Sequence, residues 1–86
     1  MGELKGLPNL GPVLEEELAR AGITTREQLY ALGSREAWLR LYTADPTACL
    51  HRLLALEGAV QGVRKADLPP ETKAELKAFF KAATGK

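Results

Sequence analysis

The sequence predicts an all-α fold: a compact domain of five helices with a central, buried fourth helix. Three observations lead there. Leu and Ala together number 28 of 86 residues, against 10 for Ile, Val and Thr. The first pair favours helices, whereas β-branched residues favour strands. No stretch alternates apolar and polar residues for the length of a strand. Helix start and stop signals recur along the chain and mark out segments at about 11–21, 26–32, 35–44, 46–61 and 70–83. Domains usually run to roughly 100–150 residues, so a single domain spanning 1–86 is expected.

The first segment opens at Gly11-Pro12, and proline is tolerated at the first helical position because its missing N–H has no partner there. Leu10, Val13, Leu14, Leu18 and Ala21 fall in one arc of about 140°, and Glu15, Glu16, Glu17 and Arg20 are assigned to the rest of the circumference. Gly22 supplies a left-handed stop. Next, Thr24 with Glu27 or Thr25 with Gln28 can form a capping box. The second pairing is preferred because it turns Leu29 and Leu32 inward.

Gly33 ends this short helix, and Ser34 is expected to cap the next, whose inward face is Trp38, Leu41 and Tyr42. Asp45-Pro46 reads as a cap followed by a first-turn proline, which starts the fourth helix at Pro46. That helix is apolar or small nearly all round (Cys49, Leu50, Leu53, Leu54, Leu56, Val60, with Ala55, Gly58, Ala59 and Gly62), the pattern of a helix buried against several neighbours. Its small residues would admit another helix backbone. Cys49 is expected to be a small buried residue. Glu57 falls within the apolar arc, so its carboxylate needs an arginine or a helix N-terminus as partner. Asp67-Leu68-Pro69-Pro70-Glu71 starts the last helix, which should bury Leu76, Phe79, Phe80 and Ala83.

The inventory argues against catalysis. Ser34 is the only serine and His51 the only histidine, so a nucleophile–base pair would need Ser34 or Cys49 with His51 and a third, orienting group. The adjacent Glu15, Glu16 and Glu17 point in different directions around a helix. There is no glycine-rich phosphate loop. A lone Cys49 with His51 falls short of a metal set. No enzyme, cofactor, metal or small-molecule substrate is therefore expected. With no apolar run of ~18 residues and no signal-peptide pattern, no membrane association is expected either, and the location is expected to be cytoplasmic.

Charge is nearly balanced, with 12 basic against 11 acidic residues and an isoelectric point of about 7.9. It is not evenly spread. Lys73, Lys77 and Lys81 recur every four residues without an acidic residue three or four positions away. Such a stripe is either a solvated face helped by the helix dipole or a row of phosphate contacts.

Leu7-Pro8-Asn9-Leu10-Gly11-Pro12, the helix that follows, and Thr24-Thr25-Arg26-Glu27-Gln28-Leu29 resemble a helix-hairpin-helix segment. That resemblance implies a hairpin at Pro8–Gly11 whose backbone N–H groups face a DNA phosphate, with Asn9, Leu10 and Gly11 as candidate contacts. Asparagine is the best non-glycine residue where φ is positive. The alternative is a purely structural hairpin that packs Leu7 and Leu10 onto the core.

The similarity extends further. The motifs above, Leu32-Gly33, Leu54-Ala55-Leu56-Glu57-Gly58-Ala59 and Leu68-Pro69-Pro70-Glu71 with Lys73, Glu75 and Leu76 resemble, in order, the TfoX C-terminal domain family. The resemblance implies an all-helical fold of about five helices with a helix-hairpin-helix or SAM-like unit. It also implies a bacterial protein with a part in regulating competence for DNA uptake. Such proteins usually carry a separate N-terminal domain, which is not expected here.

Two modes of action follow. One is a protein-interaction module, with Trp38, Tyr30 and Tyr42 as candidate aromatic anchors; core packing is the competing role, foremost for Trp38. The other is sequence-nonspecific DNA binding through Asn9, Leu10 and Gly11 together with Lys73, Lys77 and Lys81.

Overall fold

The computed structural model describes Leu4, Leu7 and residues 9–85. Among the described residues there are four α-helices, one 3₁₀ turn and no strand: α1 (Pro12–Arg20), α2 (Arg26–Ala44), α3 (Leu50–Gln61), η1 (Lys65–Asp67) and α4 (Pro70–Thr84).

The α1 boundaries follow the sequence signals. Gly11 is the N-cap, Pro12 opens the helix, and Gly22 (φ 87°) ends it. The Gly22 N–H donates to the Ala19 carbonyl (3.0 Å) and the Ile23 N–H to the Leu18 carbonyl (2.8 Å), a Schellman closure. Leu18 and Ile23, brought together by it, are both fully buried. Leu14 is buried as expected, but Val13 is 69% exposed. Val13 lies about 100° around the helix from Leu14, and the core sits on the Leu14–Leu18 side.

The preferred capping box forms at the start of α2. The Gln28 N–H donates to Thr25 Oγ1 (3.1 Å), and the Thr25 N–H donates to Gln28 Oε1 (3.2 Å). Four helices replace the expected five because the segments at 26–32 and 35–44 belong to one element. Only Gly33 inside α2 leaves helical geometry (φ 80°, ψ 167°), so the chain kinks there and resumes without a loop. Ser34 consequently is not the helix cap anticipated. Its hydroxyl is buried and donates to Glu57 Oε1 of α3.

The central helix starts at Leu50, not Pro46. Asp45 does act as a cap, but of a turn: Oδ1 accepts from the Thr47 N–H (3.0 Å) and the Thr47 hydroxyl (2.5 Å). Cys49 becomes the N-cap of α3 and is exposed, not buried. Its carbonyl accepts from Trp38 Nε1 (3.2 Å), which satisfies the polar edge of a fully buried indole.

α3 is central as expected, packing on α2, α4 and η1. Leu53, Leu56 and Ala59 from α3 join Leu18, Ile23, Leu29, Trp38 and Leu76 in one continuous core. On α4, Leu76 is fully buried and Phe79 and Phe80 are half-buried against Trp38, whereas Ala83 is exposed, because the helix has passed the edge of the core by its last turn.

Candidate interaction surfaces

The hairpin before α1 is held from inside. Asn9 has φ 69°, the positive value for which asparagine is suited. Its Nδ2 donates to the Val63 carbonyl (3.1 Å) and the Ala55 carbonyl (3.4 Å), and its Oδ1 accepts from the Lys65 N–H (3.0 Å). One side chain thus ties the hairpin to α3 and to the loop after it. Leu4, Leu7 and Leu10 are buried in the core, so Leu10 has no side chain to offer a partner. Gly11 is exposed, and a Cβ there would meet nothing within 4 Å. Pro8, the first residue of the expected hairpin, lies outside the described residues.

Gly58 makes this clamp possible. A Cβ at Gly58 would lie 2.7 Å from the Val63 carbonyl oxygen and would overlap Asn9 Nδ2. The small residues of the central helix were expected to admit another helix backbone; at Gly58 they admit the hairpin and the 63–65 loop.

The lysine stripe begins beside the same loop. Lys73 is half-buried, and its Nζ donates to the Ala66 carbonyl (3.2 Å). Lys77 and Lys81 are exposed, as is Lys65 of η1. Asn9 holds the Lys65 amide and Lys73 holds the Ala66 carbonyl, so the fold joins hairpin, η1 and the start of α4 at adjacent residues. Sequence reasoning did not include Lys65, because its place beside Asn9 depends on a contact 56 positions apart.

The aromatic candidates divide. Trp38 is fully buried and stacks on Tyr42, with ring centroids 5.0 Å apart and planes 16° from parallel. Phe79 and Phe80 meet the indole edge-on at 6.2 and 5.4 Å. Arg35 lies over the Phe79 ring at 5.9 Å. Tyr42 is half-buried in this cluster, whereas Tyr30 is 48% exposed on the first half of α2.

Two polar networks fasten the helices. Glu57 accepts from the Ser34 hydroxyl and from Gln61 Nε2, so its partners are neither the arginine nor the helix N-terminus anticipated. Separately, Arg52 Nη1 reaches Glu17 Oε2 (3.2 Å) and Asp45 Oδ2 (3.4 Å), joining α1, the end of α2 and α3. The Thr47 hydroxyl and N–H hold the Asp45 carboxyl below its ordinary value of 3.8, against an opposing effect of desolvation, and Arg52 adds a lesser lowering. Glu17, Arg20, Leu41, Ala44 and Asp45 line a cleft of about 180 Å³. Sequence reasoning placed Glu17 on the outer face. At the helical step it falls between Leu10 and Val13, inside the apolar arc, and that was the available signal.

Among the described residues, no three or more His, Cys, Asp or Glu side chains are grouped to hold a metal ion. No described helix is long and apolar enough to cross a membrane.

These features describe a small all-helical domain whose polar side chains chiefly fasten its own helices. The chain belongs to the TfoX C-terminal domain family, whose model matches residues 1–80. It is 36% identical to Protein Sxy of Escherichia coli (strain K12) over 83 residues, which are 96% of this chain and 40% of Sxy. It is also similar to two crystal structures of Listeria monocytogenes proteins. The triclinic form superposes with a TM-score of 0.93 at 48% identity, covering 95% of this chain and 93% of the other. The tetragonal form gives 0.91 at 48%, covering 93% and 98%.

Proposed function

We propose that this domain is a non-enzymatic regulatory module of bacterial competence for DNA uptake, acting in the cytoplasm by contact with another macromolecule. The observation that carries the reading is the family match across residues 1–80. The polar inventory supports it. Ser34, the only serine, is buried against Glu57, and Asn9 and Asp45 are occupied by neighbouring backbone. With these groups engaged in the fold, what the domain offers outward is shape, exposed side chains and charge. The hairpin, α1 and the first half of α2 form the helix-hairpin-helix unit of this reading, with the hairpin serving to anchor Leu7 and Leu10.

Tyr30 is the aromatic side chain best placed for a protein partner, since Trp38 is in the core and Tyr42 is stacked on it. The test is genetic. Deleting the coding sequence in the native bacterium should lower both transformation frequency and competence-gene transcripts. Wild-type protein should restore both, and Tyr30→Ala should restore markedly less while remaining folded. Transformation and transcripts that do not change on deletion would overturn the reading.

A further inference from the structure

We propose that the face built by η1 and one side of α4 binds the phosphate backbone of duplex nucleic acid, through Lys65, Lys73, Lys77 and Lys81. The inference rests on the reading of the domain as a module that contacts a macromolecule, and it names the partner for one surface.

Charge segregation carries it. Along α4 the three lysines are four residues apart, about 6 Å of rise at each step, so they form a row of about 12 Å on one side of the helix. Glu71 and Glu75 project from the opposite side at the helical step of about 100°. Among the described residues, Lys65, Lys73, Lys77 and Lys81 form no ion pair, whereas the surface arginines Arg20, Arg40 and Arg64 pair with Glu16, Glu36 and Asp67. The Asn9–Lys65 and Lys73–Ala66 hydrogen bonds set the backbone of Lys65, itself exposed, beside the head of the row. Like charges at this spacing repel one another, and a polyanion relieves that repulsion.

The composition of the face selects among polyanions. A protein that lies on an anionic membrane sets large apolar residues beside its cations. The exposed large apolar side chains here are Val13 and Tyr30, neither of them on η1 or α4; Ala74, Ala78 and Ala82 flank the row on one side, and on the other Leu76 is fully buried and Phe80 is half-buried against Trp38. A row of cations without an apolar anchor or hydrogen-bonding fork suits a uniform line of phosphates, read without regard to sequence.

The experiment measures binding of the intact chain to a short mixed-sequence DNA duplex across a salt series. About four neutralised phosphates, one for each lysine, give a slope of log K against log salt near −3.6, which is roughly a 150-fold loss of affinity for a fourfold rise in salt. Lys77→Glu with Lys81→Glu should lower the slope to about −2. Arg20→Glu with Arg40→Glu changes net charge equally but elsewhere, and should leave the slope near its wild-type value. Should the first double variant fail to fold, Lys77→Gln with Lys81→Gln serves in its place. Absence of binding at low salt, equal loss in both double variants, or tighter binding to phosphatidylserine vesicles or to an acidic peptide than to duplex would each overturn the proposal. If duplex binding fails while deletion still lowers transformation, the proposed regulatory role stands and this surface alone falls.

Discussion

Asn9 and Gly58 show how much one pair of residues can decide. In an open helix, replacing glycine by alanine stabilises by about 0.5–1 kcal/mol. At Gly58 the added methyl would overlap Asn9 and press on the Val63 carbonyl at 2.7 Å, backbone that cannot swing aside. Gly58→Ala is therefore expected to destabilise by about 1–3 kcal/mol, measured by urea unfolding. In an Asn9→Gly background, which removes the overlapping amide, the same substitution should be less harmful. A stabilised Gly58→Ala variant would mean that the hairpin is not clamped on α3. The positive φ of Asn9 was legible in the sequence, because few other residues suit it. Its three hydrogen-bond partners were not, since they lie 46 to 56 residues away.

At the scale of the element, local signals worked where local physics governs. The capping box at Thr25 and Gln28 and the Gly22 stop depend on residues within one turn, and both formed as read. Gly33 was read correctly as an interruption, but its consequence differs: α2 kinks and continues. Its φ and ψ lie in a region essentially restricted to glycine, so Gly33→Ala should cost about 1–3 kcal/mol on chemical denaturation. Ser34 was misread because a serine after a glycine is a good cap by local criteria, and the competing partner, Glu57, belongs to another helix. Ser34→Ala removes one of the two donors to that carboxylate and should lower stability by about 1–3 kcal/mol. A loss of a few tenths only would show the Glu57 carboxylate to be adequately held by Gln61.

At the scale of the molecule, α3 is the keystone of packing and Arg52 joins three elements. Leu53 is fully buried at the centre, so Leu53→Ala should cost about 2–5 kcal/mol; below about 1 kcal/mol, α3 would not be central. The Asp45 turn adds a pH dependence. Its carboxyl is held below 3.8 in the fold, so it stays ionised at a pH where the unfolded chain takes up a proton. Its stabilising contribution is complete above the ordinary value and is lost as pH falls through the lower folded value. The thermal midpoint should thus decline less steeply below about pH 4 in Asp45→Asn than in the wild type. Identical acid profiles for the two proteins would remove Asp45 from the account.

The sequence by itself determined the helical class, the Thr25–Gln28 cap and the Gly22 stop, the central place of the α3 segment, the family and the lysine periodicity. These are carried by composition, by the helical repeat and by contacts within a turn or two. Only the tertiary structure decided that Ser34 serves Glu57, that Cys49 stands outside the core, that Glu17 meets Arg52, and that hairpin and lysine row share one loop. The physical reason is common to the polar contacts among them. A buried or half-buried polar group is satisfied by whichever partner the packed chain brings within about 3 Å. That choice depends on how distant segments meet in space.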